Sequence, residues 1–165
     1  MLICFEGPRK SGKTTLARML SKRLGIPIWD RPVEIETFKE KTKAYDLFVL
    51  DELSILNRVD WSKQDLIVDR HPAVSEWVYS LLYDRKSLVE RTVDLIPNNT
   101  CFIFLSRNWR DLEKKEEQSI YDGVMFKVKE RAPVLVLRTD IQKEQECLEM
   151  IVEFLDKLRG GKRDD

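Results

Sequence analysis

The sequence predicts an α/β domain in which a parallel sheet of five strands is flanked by helices. Apolar runs of strand length alternate along the chain with longer segments in which apolar residues recur at helical spacing. The chain has 165 residues, of which 42% are hydrophobic, and this suits one domain with one packed core. No repeat or linker divides it. We therefore expect a single domain over residues 1–159 and a flexible tail over 160–165.

Each predicted element is a short apolar run or a helical pattern that ends at a turn-forming residue. The first apolar run stops at Glu6, and the first helical pattern ends at Gly25, as helices commonly do. The predicted strands are residues 2–5, 26–29, 65–68, 101–105 and 133–137. The predicted helices are residues 14–24, 35–59, 75–93, a segment that follows a charged stretch at 107–118 and runs to about 131, and 141–158.

Charge balance and cysteine content narrow the class of protein. Lysine plus arginine and aspartate plus glutamate both number 29, so the net charge is zero and general nucleic-acid binding is not expected. Cys4, Cys101 and Cys147 lie in apolar or helical segments without the close spacing of a metal site, which indicates reduced thiols. No run reaches the roughly 18 apolar residues of a membrane span, and the opening residues lack signal-peptide features. We expect a cytoplasmic protein without membrane contact.

One loop carries a phosphate-binding motif. Residues 7–14 read GPRKSGKT and match G-x-x-x-x-G-K-[ST] at every fixed position, between an apolar run and a helix. In that context backbone N–H groups and the helix N-terminus can surround the phosphates of ATP. Lys13 is expected to contact the β- and γ-phosphates, and the Thr14 hydroxyl to bind Mg²⁺. The expected ATP-binding residues are Gly7, Arg9, Lys10, Ser11, Gly12, Lys13, Thr14 and Thr15.

The loop with its flanking residues and two further segments together form a family resemblance. Residues 5–15, the segment LFVLD at 47–51, and VDRH at 68–71 with Ser75 and Tyr79 resemble thymidylate kinases and their deoxynucleoside-kinase relatives. The resemblance implies a single-domain P-loop NTPase fold and phosphoryl transfer from ATP to a small nucleotide or nucleoside. It also implies a lid at about 107–118, and it makes a homodimer one option.

The same resemblance, together with position on the predicted sheet, assigns roles to individual residues. Asp69 and Arg70 follow a strand at its carboxyl end, where a carboxylate can hold Mg²⁺ and an arginine can bind phosphate. The lysines at 114 and 115 are interpreted as surface residues. The catalytic candidates are Lys13, Asp69, Arg70, Arg107 and Arg110, and the metal candidates are Thr14 and Asp69. The candidates for acceptor binding are Asp30, Phe48, Asp51, Arg70, Trp77 and Tyr79.

Three positions depart from the family pattern and leave the phosphoryl acceptor open. Arg9 stands where many thymidylate kinases carry an acidic residue, Glu52 stands where an arginine is usual, and Arg31 stands where deoxynucleoside kinases carry glutamate. The leading hypothesis is transfer to a (deoxy)nucleoside monophosphate. One alternative is transfer to a hydroxyl of a deoxynucleoside or modified nucleic-acid base, for which Asp30 or Glu34 would serve as base. Another is a regulatory nucleotide-binding module with no acceptor.

Overall fold

A computed structural model describes residues 1–29, 43–84 and 92–160 of the chain, and its strands form one parallel sheet. Strand order is β2-β1-β3-β4, with Ile3 of β1 opposite Ile67 of β2 on one side and Cys101 of β3 on the other. The elements are β1 (Leu2–Glu6), α1 (Lys13–Leu24), α2 (Lys43–Arg58), β2 (Leu66–Asp69), α3 (Pro72–Leu82), a 3₁₀ helix (Thr92–Leu95), β3 (Thr100–Ser106), α4 (Leu112–Val128), β4 (Val134–Arg138) and α5 (Glu144–Gly160). This confirms an α/β fold with a parallel sheet flanked by helices.

The prediction of five strands is wrong, because the described residues form four. The second predicted strand, at 26–29, is reduced to a single parallel bridge between Ile28 and Ile67. Two backbone hydrogen bonds make this bridge, from Trp29 N to Ile67 O and from Ile67 N to Pro27 O. Pro27 has no N–H to donate, so it cannot extend the ladder as an ordinary strand residue would.

Two apolar layers form the main core, one on each face of the sheet, and a smaller cluster of Val49, Leu53, Ala73 and Tyr79 joins α2 to α3. Successive strand residues point to opposite faces, so β1 sends Ile3 and Phe5 to one layer and Leu2 and Cys4 to the other. Helices α1 and α5 cover the first layer, and α2, α3 and α4 cover the second. All three cysteines are buried with free thiols, as predicted. Among the described residues, none of the helices has the length and apolar content needed to cross a bilayer.

Helix α3 differs most from its predicted range of 75–93. It begins at Pro72, because the ring of His71 caps it by accepting a hydrogen bond from Ala73 N at 3.2 Å, and proline is favoured at a first helical position. It ends at Leu82, since Asp84 adopts a φ of 49°, which a continuing helix does not allow. The 3₁₀ helix replaces the predicted helical end near residue 93.

The other helices follow the prediction with small differences. Helix α4 begins within the charged stretch at 107–118, because Asp111 caps it by accepting a hydrogen bond from Lys114 N. Helix α2 confirms the later part of the predicted helix at 35–59, whose first residues lie outside the described part of the chain. Gly160, assigned to the tail, is the last residue of α5, and residues 161–165 lie outside the described residues.

The turn that leaves β1 brings the phosphate-binding loop against the neighbouring strand. Gly7 has a φ of 141°, in a region that residues with a Cβ avoid. A Cβ at this position would lie 2.4 Å from the backbone oxygen of Leu105 in β3. Glycine is therefore required here both by backbone conformation and by the close approach of the two chain segments.

We predict that Gly7→Ala destabilises the protein by at least about 2 kcal/mol, because it adds backbone strain to a steric clash. Gly123→Ala is the matched control: Gly123 lies inside α4 with no atom within 4 Å of an added Cβ, so this change should stabilise by up to about 1 kcal/mol. Urea unfolding of the two variants measures the difference, and equal stabilities would contradict the assigned loop conformation.

Candidate active site

The loop at residues 7–14 contains three residues with positive φ, Gly7, Lys10 and Gly12. Gly12 caps α1 with a φ of 100°, and Lys10 also adopts a positive φ, of 62°. No side chain caps the N-terminus of α1, and its first turn contains no acidic residue. The first amides of a 12-residue helix are therefore available to an anion at the carboxyl end of β1.

The ammonium group of Lys13 is buried inside this loop. It donates hydrogen bonds to the backbone oxygens of Gly7 (2.7 Å) and Pro8 (2.6 Å), and its Nζ lies 3.3 Å from Ser11 Oγ. Burial, followed by the positive charge of Arg70, lowers the pKa of Lys13 to about 7. A phosphate group beside Nζ would oppose both effects and favour the protonated amine.

The two predicted metal-binding residues are in direct contact. Thr14 Oγ1 donates a hydrogen bond of 2.6 Å to Asp69 Oδ2, which joins the start of α1 to the end of β2. Among the described residues no group of three acidic, histidine or cysteine side chains gathers as a complete metal site. Mg²⁺ in proteins is often held by one or two side-chain oxygens together with substrate phosphates and water, and this pair of oxygens suits that arrangement.

Arg70 extends from the end of β2 into a partly buried aromatic environment. Its backbone has a φ of 76°, and its amide continues the ladder by donating to Phe5 O at 2.9 Å. Its guanidinium donates to the hydroxyl of Tyr121 on α4 and lies 5.5 Å from the centre of the Tyr79 ring. Burial opposes the charge, but Tyr121, Tyr79, Glu6 and the neighbouring carboxylate outweigh it and raise the pKa of Arg70. The site therefore contains a cation that remains charged at every physiological pH.

The segment predicted as a lid contacts the phosphate-binding loop. The guanidinium of Arg107 donates to Lys10 O at 3.2 Å and lies 5.0 Å from the centre of the Trp109 ring. Arg110 is exposed and takes part in no hydrogen bond or ion pair with the described residues. The structure thus brings Arg107, but not Arg110, to the loop.

The acceptor candidates on α2 and α3 do not all face the same region. Tyr79 lies beside Arg70, whereas Trp77 packs on the core layer beneath α3. The separation has a simple cause, since residues two apart on a helix point in different directions. On α2, Phe48 is half-buried and Asp51 is exposed. Asp30 lies outside the described residues, and Thr15 of the loop is exposed.

An open polar cleft of about 340 Å³ lies beside the ends of β3 and β4, and Arg107, which contacts the loop at Lys10 O, is part of its lining. Its lining includes the predicted lid residue Arg107 together with Trp109, and Arg138 at the end of β4. Asp69 and Arg70 lie instead at the end of β2, on the other side of β1. The loop after β1 is thus flanked by two separate regions, as expected where the strand order of a parallel sheet reverses.

Three residues on α4 that contact the site were not predicted from the sequence. The carboxylate of Glu117 accepts a hydrogen bond from Arg9 N at 3.0 Å, and Lys114 Nζ donates to Arg9 O at 3.3 Å. The interpretation of Lys114 as a surface residue is wrong, because its side chain is 23% exposed and ion-paired to Glu117. Tyr121 is fully buried beside Arg70. Glu117 follows Lys114 by three positions and Tyr121 follows Glu117 by four, which places the three on one face of the helix. This helical spacing is the one signal that the sequence contained.

No family model and no curated protein matches this sequence. Solved structures do match it. The YorR protein from Bacillus subtilis, in complex with phosphorylated GDP, is 23% identical with a TM-score of 0.71, over 99% of both chains. Deoxyadenosine kinase from M. mycoides, with the products dCMP and dCDP, is 17% identical with a TM-score of 0.65, over 95% of this chain and 100% of that one. Thymidylate kinase from Candida albicans is 15% identical with a TM-score of 0.65, over 96% and 92% of the two chains.

The fold is the one seen in solved structures of P-loop nucleotide kinases. In fold the chain resembles both thymidylate kinase and deoxyadenosine kinase, the two families that its motifs resemble. The two likenesses have the same TM-score and similarly low identity, so they describe the fold and leave the acceptor undecided.

The lowered pKa of Lys13 predicts a pH-dependent stability. A lysine with a folded-state pKa near 7 and an unfolded value of 10.5 destabilises the folded state most below pH 7, and this effect decreases as the pH rises above 7. The free energy of unfolding of the wild type, relative to Lys13→Met, should therefore increase by about 1–2 kcal/mol between pH 6.5 and 8.5. Urea unfolding of both proteins at several pH values measures it. Taking the difference in free energy of unfolding between the two proteins removes the contribution of cysteine titration, which they share. A difference that stays constant with pH would contradict the assigned pKa of Lys13.

Proposed function

We propose that this protein transfers a phosphoryl group from ATP to a (deoxy)nucleoside monophosphate, in the manner of thymidylate kinase. The observation that carries the proposal is the convergence of three groups at the carboxyl ends of β1 and β2: the Lys13 ammonium, the Thr14–Asp69 oxygen pair and the Arg70 guanidinium. The ammonium group and the oxygen pair are what binding of a phosphoryl donor and its Mg²⁺ requires. The guanidinium is suited to bind an anionic acceptor.

The division of the site into two regions supports a donor and an acceptor on opposite sides of the loop. The cleft lined by Arg107 and Trp109 is linked to the loop through the hydrogen bond from Arg107 to Lys10 O, and the nucleoside of ATP would bind there. Arg70 and Tyr79 lie on the β2 side, where the acceptor would bind. In-line transfer places the leaving group of the donor and the attacking oxygen of the acceptor on opposite sides of the transferred phosphoryl group, and binding in these two regions would be compatible with that geometry.

The proposed chemistry depends on positioning and charge and uses no covalent enzyme intermediate. The ammonium of Lys13 would leave the backbone oxygens of its loop for the β- and γ-phosphates. Arg107, which already contacts the loop, would neutralise charge that develops on the transferred group. Arg70 would orient the acceptor phosphate, whose oxygen is already anionic and needs no strong base. Thr14 and Asp69 would hold Mg²⁺, which draws charge away from the phosphate oxygens when bound.

A second candidate function is transfer to the hydroxyl of a deoxynucleoside. The likeness to deoxyadenosine kinase, at the same TM-score as that to thymidylate kinase, favours its consideration. A hydroxyl acceptor requires a base, and the residues considered for that role, Asp30 and Glu34, lie outside the described part of the chain.

Measurement of ADP release with a panel of acceptors tests the proposed reaction. At least one nucleoside 5′-monophosphate should accelerate ADP release, free deoxynucleosides should not, and Lys13→Met should lower kcat by about 100-fold or more. The panel should include guanine, cytosine, adenine and thymine nucleotides with their matching nucleosides. Acceleration by deoxynucleosides alone would replace the proposal with the second candidate. ATP binding without turnover for every acceptor would indicate a nucleotide-binding module instead.

The metal-binding role of Asp69 predicts an altered Mg²⁺ requirement. Asp69→Asn should raise the Mg²⁺ concentration for half-maximal activity by about 10-fold or more, because a neutral amide is a poorer ligand than a carboxylate. Thr14→Ser, which retains the hydroxyl, is the control and should titrate like the wild type. Identical Mg²⁺ titrations for all three proteins would remove Asp69 from the proposed site.

A further inference from the structure

The backbone of Arg9 is held on both sides by an ion pair from α4. Glu117 accepts the Arg9 N–H at 3.0 Å, Lys114 donates to the Arg9 carbonyl oxygen at 3.3 Å, and the two side chains lie 3.2 Å apart. Glu117 is only 5% exposed, so these contacts are shielded from solvent. The third residue of the phosphate-binding loop therefore has a defined backbone position, and this restricts the direction of its side chain.

That side chain extends away from the loop towards two stacked tyrosines. The Arg9 guanidinium donates to Tyr83 OH at 3.4 Å and lies 5.9 Å from the centre of the Tyr79 ring. The two tyrosine rings stack at 6.1 Å with an interplanar angle of 14°. Arg70 lies 5.5 Å from the centre of the same Tyr79 ring. Two guanidinium groups thus share one aromatic side chain on the β2 side of the loop.

The charge of Arg9 is not neutralised within the described part of the chain. Its guanidinium forms no ion pair there, and the nearby carboxylate of Glu117 is engaged by the Arg9 amide and by Lys114. Tyrosine hydroxyls and ring faces stabilise a guanidinium only modestly. An anionic ligand between the tyrosines and the loop would supply the missing negative charge, and a guanidinium is well suited to bind a phosphate with two hydrogen bonds.

We propose that Arg9 recognises a phosphate group of the acceptor, and that it makes this protein select nucleotides over nucleosides. The proposal rests on the proposed function, because it gives one residue of that site a role on the acceptor side. Arg9 would act by binding, together with Arg70, and not by contact with the ATP phosphates that surround the rest of its loop. Its effect is therefore expected on acceptor affinity and not on ATP affinity.

Equilibrium binding without ATP tests this role directly. Isothermal titration calorimetry of the full chain would use the four deoxynucleoside 5′-monophosphates and the four deoxynucleosides. Wild type should bind at least one monophosphate at least 10-fold more tightly than its nucleoside. Arg9→Gln should raise the dissociation constant of that monophosphate by about 10- to 100-fold and leave the affinities for the nucleoside and for ATP unchanged. Arg9→Lys retains the positive charge but not the planar guanidinium. Its affinity for the monophosphate should lie between those of the wild type and Arg9→Gln.

The matched control is Arg58→Gln, since Arg58 is an exposed arginine at the end of α2, before the amino end of β2 and away from the site. It should leave all affinities unchanged. An equal loss of ATP and monophosphate affinity in Arg9→Gln would overturn the proposal, as would an unchanged preference for the monophosphate. Failure of the proposed function gives a different result: Arg9-dependent monophosphate binding would persist in the wild type, while no acceptor would accelerate ADP release.

Discussion

The buried ammonium group of Lys13 places a positive charge inside a tight turn, and charged groups from three other parts of the fold act on it. Burial and the guanidinium of Arg70 oppose that charge, while the carboxylates of Asp69, Glu6 and Glu117 favour it. These groups come from β1, β2 and α4, which are distant in sequence. Because one buried cation depends on all three elements, the loop, the strand ends and the first turns of α4 form a single electrostatic unit.

Much of the fold was predictable because it depends on local apolar patterns. The four strands follow from short apolar runs and the helices from the helical spacing of apolar residues, whereas the division of β1 between two core layers is shown only by the structure. Two errors in the predicted elements arose where a single residue changed the local structure. Pro27 reduced a predicted strand to a bridge, and the ring of His71 started α3 three residues early. The spacing of apolar residues does not predict such effects of individual side chains.

The site was predictable only where its residues are adjacent in sequence or follow a strand. The loop motif and the pair at Asp69 and Arg70 meet that condition. Lys114 and Glu117 do not, because their contacts with Arg9 cross 105 and 108 positions of the chain and depend on how α4 packs over the sheet. The pattern of mixed charges on α4 was typical of a solvated helix. Two of those charges instead hold the backbone of the loop.

The burial of all three cysteines has a practical consequence for the study of motion in this molecule. Thiol-directed probes would find no exposed native cysteine to react with, so labels could be attached at chosen places without first removing natural ones. Cysteines introduced at two exposed positions, Arg18 on α1 and Lys115 on α4, would accept a pair of paramagnetic tags. The spacing between those tags, recorded with and without nucleotide, would report whether the two helices change their separation when nucleotide is added.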